Sequence, residues 1–167
     1  MKIRSCISSG LNGIFILTML LFFLDALTVF EIKSQTVKLF ASFGILLLAP
    51  LTLLWNLLTF KTKKIPGAIL PALTLIGIIM IGPAQIAFAA SVWKTQKVIY
   101  QNGHWDFKKV EFQMQDVGSL GFNERTVEVT YLTDLFVIVS PAEMRAYDSV
   151  EWVKIDKEVN EINLKSP

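Results

Sequence analysis

Long runs of apolar residues dominate the first half of the chain, at roughly 11–30, 39–60 and 68–90. The first run is interrupted only by Asp25, and the other two contain no charged residue. Because the hydrocarbon core of a bilayer is about 30 Å thick, a helix needs about 20 apolar residues to cross it. The pattern therefore predicts three transmembrane helices over these ranges.

The first apolar run also has features of a secretory signal peptide. Its start is basic, with Lys2 and Arg4, and the stretch 14–24 has the length of a signal-peptide core. Apolar character resumes after Asp25, however, and no small-x-small cleavage site follows. We therefore expect this run to be retained as a membrane span.

The pattern changes after Trp93 to the alternation of polar and apolar residues that is typical of β-strands. Such alternation over 110–115 and over 126–131 predicts two strands, each with one buried apolar face and one wet polar face. An unbroken apolar run at 135–139 predicts a central strand. A short strand at 97–100 precedes Asn102-Gly103, a dipeptide that is typical of hairpin turns.

The last part of the chain gives a mixed signal. Ser140-Pro141-Ala142-Glu143 fits a capping box and predicts a short helix near 141–147. In the tail, 149–164, apolar residues recur at near-helical spacing, although 150–155 also fits a strand; we favour a strand followed by a helical tail. The fold class predicted is a three-helix membrane protein with a small C-terminal α+β soluble domain, mainly antiparallel β.

Charge is distributed very unevenly between the two parts. Residues 1–93 carry nine charged side chains and a net charge of +5, whereas residues 94–167 carry 21 and a net charge of −3. We therefore place the membrane region at 1–93 and the soluble domain at 94–167. A net acidic soluble domain argues against a nucleic-acid partner, which requires a basic surface.

The orientation follows from lysine and arginine near the ends of the spans. Lys2, Arg4 and the Lys61-Thr-Lys-Lys64 cluster would lie on one side, and Lys33, Lys38 and the start of the soluble domain on the other. We predict a multi-pass protein of the bacterial inner membrane, with a cytoplasmic N-terminus and a periplasmic C-terminal domain.

One ionisable residue lies within a predicted span. Asp25 would be at about the same depth as Ser42 of the second span and Gln85 of the third. Intramembrane carboxylates often bind a proton or a cation, so these three residues form a candidate polar cluster. The structural alternative, which we favour, is that Asp25 reaches the surface and only orients the helices.

The loop 116–125 is a candidate recognition feature of the soluble domain. Gly118 and Gly121 permit unusual backbone conformations, and Asp116, Glu124 and Arg125 supply charge. The structural alternative, again favoured, is a glycine-containing turn with solvated charges. The loop lacks the lysine and the following helix of a phosphate-binding loop.

No pattern of catalytic residues is present. The chain has one cysteine, Cys6, and one histidine, His104, far apart in the sequence. A zinc site normally takes four cysteine or histidine ligands, so we expect neither a metal nor another cofactor. Nucleophilic catalysis needs a nucleophile beside a base, and none is recognisable. We expect a protein that is not an enzyme.

These observations favour a membrane-anchored accessory or scaffold protein. Its partners would be the lipid bilayer and another membrane or periplasmic protein, or a second copy of the chain. The alternative is a small oligomeric transport or ion-coupling component that acts through Asp25.

Overall fold

The computed structural model describes residues 2–59, 66–118, 121–143, 147 and 151–163. Its helices are α1 (Lys2–Leu27), α2 (Gln35–Thr59), α3 (Pro66–Ile81) and α4 (Pro83–Phe88). Its strands are β1 (Phe30–Ile32), β2 (Trp93–Asn102), β3 (Lys108–Asp116), β4 (Phe122–Tyr131), β5 (Phe136–Pro141) and β6 (Trp152–Glu158).

The chain divides into two compact units that interleave along the sequence. The helical unit comprises Met1–Phe23 and Lys38–Ala90, and the sheet unit comprises Leu24–Val37 and Ser91–Pro167. The sheet unit therefore includes the connection between α1 and α2. The sequence pattern, which gave one boundary near residue 93, did not predict this contribution.

Two helices are long and apolar enough to cross a membrane, over Cys6–Leu27 and Gln35–Leu58. Their composition is compatible with membrane insertion, and an N-terminal helix of this kind is also compatible with a signal sequence. The third predicted span is divided. Gly82 has a φ of 97° and Pro83 lacks an N–H, so α3 ends at Ile81 and α4 begins anew.

Side chains from all four helices pack in the core of the helical unit. Buried residues from each form one cluster: Phe15, Ile45, Ala49, Ile78 and Ile86. Asn56 links α2 to α1 and to α3, because its side-chain amide donates to Asn12 Oδ1 (3.2 Å) and to the Gly67 carbonyl (2.7 Å). Many large apolar side chains face outward, including Leu17, Leu20, Leu47 and Leu51.

The sheet unit contains one antiparallel sheet with the strand order β1-β5-β4-β3-β2-β6. The strands predicted from alternation are confirmed as β3 and β4, and the predicted hairpin joins β2 to β3. The apolar run becomes β5, which lies next to the edge strand β1. The edge position of β1 matters because this strand comes from between the two long helices.

The end of the chain differs in part from the prediction. Pro141 is the last residue of β5 and pairs with Val127, so it does not begin a helix. Most of the helix expected near 141–147 lies outside the described residues. The predicted strand in the tail is confirmed as β6, but 159–163 forms turns with positive φ at Asn160 and Asn163 rather than a helix.

The predicted wet face of β3 is wrong. Glu111 and Gln113 are each 1% exposed, whereas Phe112 and Met114 are only half-buried. Glu111 pairs with Val127 of β4, and directly opposed residues of an antiparallel pair point to the same face. Its carboxylate therefore lies on the same face as the buried valines of β4. Alternation alone shows that two faces differ, not which one is covered.

Candidate functional site

A groove of about 570 Å³ crosses the face of the sheet that carries Glu111. Its size lies within the range of small-ligand and peptide-side-chain sites. Its lining combines strand residues with residues of the β2–β3 loop, the β4–β5 turn and the tail: Thr95, Val98, Gln101, Asp106, Phe107, Lys109, Glu111, Tyr131, Asp134, Ile155, Lys157, Val159 and Glu161. We call this feature the groove.

The buried carboxylate of Glu111 lies at the floor of the groove and accepts three hydrogen bonds. The Tyr131 hydroxyl donates to Oε1 (2.8 Å), while the Thr95 hydroxyl (2.7 Å) and the Gln113 amide (2.9 Å) donate to Oε2. A buried carboxylate is costly unless it is hydrogen-bonded in this way. The three donors come from three different strands, so they tie β2, β3 and β4 together through side chains.

The side chain of Lys33, one residue beyond β1, contacts β2, which is four positions from β1 in the strand order. Its ammonium donates to Thr95 Oγ1 (2.7 Å) and to Glu161 Oε2 (2.9 Å). Glu161 also accepts from the Thr95 backbone N–H (2.7 Å). The connection between α1 and α2 is therefore bonded to β2 and to the tail as well as to β5.

Arg125 makes a second link to that connection. Its guanidinium donates to both carboxylate oxygens of Glu31 on β1, with Nη1 2.7 Å from Oε1, and also to Gln113 Oε1. The guanidinium carbon lies 4.0 Å from the ring centre of Trp93, within the range of a cation–π contact. Gln113 thus accepts from Arg125 and donates to Glu111, which joins both links into one array.

We call this array the polar network: Glu31, Lys33, Thr95, Glu111, Gln113, Arg125, Tyr131 and Glu161. Burial, and then the adjacent charge of Glu111, raises the pKa of Tyr131 well above its ordinary value. Tyr131 consequently remains a neutral hydrogen-bond donor through the physiological range. The bonded groups of the network point at one another, which is an arrangement that rigidifies a surface.

The charged side chains that a ligand would meet in the groove belong to residues around the polar network. Lys157 is exposed on β6, and Lys109 lies with its ammonium 5.4 Å from the ring centre of Tyr131. Asp134, exposed in the β4–β5 turn, lines both the groove and an adjoining cavity of about 400 Å³. These side chains offer both signs of charge at the rim, above a rigid floor.

The residues of the predicted intramembrane cluster fall in different units. Asp25 belongs to the sheet unit, where its Oδ1 accepts from the backbone N–H of Ile32 (2.7 Å). Ser42 is buried in α2 and Gln85 is exposed on α4, both in the helical unit. The cluster itself stays a prediction.

The predicted recognition loop is partly strand. Asp116 ends β3 and its carboxylate accepts from the Gly118 N–H (2.7 Å); Gly118 and Gly121 both have positive φ, as their identity allows. Glu124 and Arg125 lie within β4. Glu124 is exposed, whereas Arg125 turns onto Glu31, so one residue of the set belongs to the polar network. A recognition role for the loop stays a prediction.

Sequence reasoning missed the network residues of the connection and of β3. Phe30-Glu31-Ile32-Lys33 does alternate with period two, but four residues are too few to distinguish a strand from a loop. Trp93 had an obvious interpretation as an aromatic at the membrane surface. Its stacking against Arg125 depends on a strand pairing that no local pattern indicates.

Within the described parts of the chain, no group of three or more histidine, cysteine, aspartate or glutamate side chains is arranged to hold a metal ion. No family model, curated protein or solved structure matches this chain. Functional inference therefore rests on the site itself.

Proposed function

We propose that this chain is a three-span membrane protein that anchors a rigid, non-enzymatic sheet domain to the membrane and presents its groove to a partner protein. The observation that carries the proposal is the position of β1 in the sequence. This strand lies between α1 and α2, yet it hydrogen-bonds β5 of the C-terminal sheet in a defined register, with Glu31 opposite Val137. The domain is therefore built partly from the membrane region's own connection.

The shared sheet supports three crossings rather than two. If α1 and α2 both cross the membrane, β1 lies on one side and residues 60–65 lie on the other. Strands β2–β6 belong to the same sheet as β1 and must lie on its side. The segment 66–90 then has to cross back, with α3 and α4 together supplying the apolar length that α3 alone lacks.

The orientation proposed is N-terminus inside and sheet domain outside. Lys61, Lys63 and Lys64 then share the inner side with the N-terminus, as the positive-inside rule favours. On the outer side, the one lysine of the connection, Lys33, is neutralised by Glu161. A bacterial inner membrane with a periplasmic sheet domain fits this arrangement.

The groove supports a binding role. Its floor is rigidified by the polar network, and preorganised surfaces lose less entropy on binding. Its wall includes Phe107, which packs against the exposed Trp105 in the β2–β3 loop, with ring centres 5.3 Å apart. Exposed aromatic residues beside a polar groove are typical of protein–protein contact surfaces.

The position of Asp25 favours this proposal over the transport alternative. Its Oδ1 accepts from the backbone of Ile32, so the carboxylate fastens the turn between α1 and β1. An asparagine would preserve that acceptor without the charge. We therefore expect Asp25→Asn to leave folding and partner binding intact, whereas an ion-coupling protein would lose its activity.

Site-specific photo-crosslinking in intact cells tests the proposal. A photoreactive amino acid is placed at Lys157, which lines the groove, and in a matched control at Lys154, which is exposed on the same strand but does not line it. We expect one discrete adduct from position 157 and none from position 154. Identical adducts from both positions, or no adduct from position 157, would contradict a groove-specific partner.

A further inference from the structure

The lysines of the sheet unit differ in whether a carboxylate balances their charge. Three of them lie outside the groove and its adjoining cavity, and each ammonium is 3.1–3.6 Å from a carboxylate oxygen. The pairs are Lys97 and Lys154 with Asp156, and Lys108 with Glu128. The charge of these lysines is therefore balanced within the domain.

Three other lysines line the concave part of the surface. Lys94 lines the adjoining cavity, and Lys109 and Lys157 line the groove. Among the residues that the structure describes, no carboxylate forms an ion pair with any of these three. Lys33 also lines the adjoining cavity, but its ammonium is paired with Glu161 (2.9 Å). Unpaired ammonium groups thus occur where a ligand would be held.

Most carboxylates of the groove already have donors. Glu111 accepts three hydrogen bonds, and Glu161 accepts from an ammonium and from a backbone N–H. Asp106 accepts from the side-chain amide of Gln101 (2.9 Å). Because an ammonium group can only donate, a ligand that satisfies the unpaired lysines must supply acceptors. Carboxylates are the strongest acceptors that a protein partner offers.

The three unpaired lysines are distributed along the direction of β2. Lys94 belongs to β2 itself, and Lys157 of β6 lies opposite Val98. Lys109 of β3 lies opposite Gln101. From position 94 to position 101, at about 3.3 Å per residue, the lysines extend over about 20 Å. An extended peptide of about seven residues covers that length.

Resting on the partner binding proposed for the groove, we propose that the groove and the adjoining cavity together bind an extended acidic segment of the partner protein. Its carboxylates pair with Lys94, Lys109 and Lys157. The two cavities share Tyr131 and Asp134 in their linings, so one segment can occupy both. A short segment fits better than a long polyanion, because residues 94–167 as a whole have a net charge of −3.

Asp134 provides a test of the sign of the partner's charge. It is exposed in the β4–β5 turn, lines both cavities and forms no ion pair within the described part of the chain. An acidic segment that passes this carboxylate is repelled by it. Asp134→Asn should therefore tighten the binding of an acidic segment, whereas it should weaken the binding of a basic one.

Fluorescence anisotropy on the full chain in nanodiscs of zwitterionic lipid tests the proposal. The probe is a labelled peptide of about eight residues in which glutamate alternates with threonine, matched to the length of the lysine array. The control peptide has glutamine at each glutamate position. We expect the acidic peptide to bind at least about tenfold more tightly at low salt, and the preference to shrink as salt screens the charges.

Variants locate the binding. Lys109→Gln and Lys157→Gln should each weaken the binding of the acidic peptide about two- to fivefold, as expected for partly exposed charge pairs. Lys157 is exposed, so its replacement leaves the fold intact even if Lys109→Gln does not. Lys154→Gln is the matched control, because this lysine is already paired and does not line the groove. Its affinity for the peptide should be unchanged.

Equal binding of the two peptides, binding of neither, or weaker binding in Asp134→Asn would overturn the acidic segment. A discrete photo-adduct from position 157 would then still support partner binding in the groove, whereas loss of that adduct would remove the partner itself. Equally tight binding of a single-stranded oligonucleotide of the same length would indicate a general polyanion site and overturn the proposal. Displacement of the acidic peptide in nanodiscs with anionic lipid would assign the lysines to lipid headgroups and would overturn it as well.

Discussion

The ion pair between Glu31 and Arg125 should couple the helix connection to the sheet by a measurable free energy. The two side chains are 20% and 21% exposed, and the contact is bidentate. Exposed ion pairs contribute about 0.2–1 kcal/mol, whereas removing one partner of a buried pair costs about 3–5 kcal/mol. For a pair that is four-fifths buried, we expect a coupling of about 2 kcal/mol.

A double-mutant cycle with Glu31→Gln and Arg125→Gln measures that coupling. The contacts of Arg125 with Gln113 and Trp93 do not enter the coupling energy, because Arg125→Gln removes them whether residue 31 is glutamate or glutamine. Urea unfolding of the full chain in micelles gives the free energies, with tryptophan fluorescence as the signal. Trp93 lies directly beneath the guanidinium and reports the transition.

The exposed pair between Lys97 and Asp156 is the matched control. Its side chains are 40% and 43% exposed, and it joins two strands of the sheet without involving the connection. We expect its coupling to be a small fraction of that between Glu31 and Arg125. A coupling below about 0.5 kcal/mol for Glu31 and Arg125, in the range of surface pairs, would refute the reasoning that this contact fastens β1.

Three further changes have expected outcomes. Gly44→Ala should destabilise the helical unit by about 1–3 kcal/mol, since an added Cβ would lie 2.6 Å from Thr18 Cγ2, and Thr18→Ser should restore thermal stability in micelles. Gly77→Ala, where the space is open, should leave stability unchanged or raise it by up to about 1 kcal/mol, because alanine favours a helix interior over glycine. Tyr131→Phe removes one donor to the buried carboxylate and should cost the sheet unit about 1–2 kcal/mol in urea unfolding. Burial, and then Glu128, raises the pKa of Tyr147 to about 12, so the stability that this group contributes should be lost from about pH 10 to pH 12 as the unfolded chain ionises first. Tyr147→Phe should make the alkaline fall in pH-dependent unfolding less steep, while Tyr131, whose pKa is also raised, accounts for the remainder.

Patterns that repeat over several turns or strands were readable from the sequence. The apolar runs at 11–30 and 39–60 correspond to helices of spanning length, because about 20 apolar residues leave few alternatives. Alternation over 126–131 gave both the strand and its buried face, with Val127 and Val129 inward. In these segments local and tertiary preferences agree.

Features that depend on long-range strand pairing could not be predicted from the sequence. Glu111 is buried because its neighbours across β4 are buried, although its own strand pattern placed it in water. Three residues of β1 carry no strand signal of their own and acquire one by pairing with β5, over 100 residues later in the chain. Pro141 had the local environment of a helix start but completes β5 instead. The candidate site consists largely of such long-range contacts.

The central claim, that the connection between α1 and α2 is a strand of the C-terminal sheet, is tested most directly by disulfide trapping in intact membranes. In the Cys6→Ser background, Phe30→Cys and Ile138→Cys place thiols at positions directly opposite in the β1–β5 register. The account predicts rapid oxidation to an intramolecular disulfide, seen as a mobility shift that a reductant reverses. Phe30→Cys with Val153→Cys, on the opposite edge strand, should stay reduced. Failure of the first pair to form a disulfide, or equal trapping of both pairs, would contradict the account.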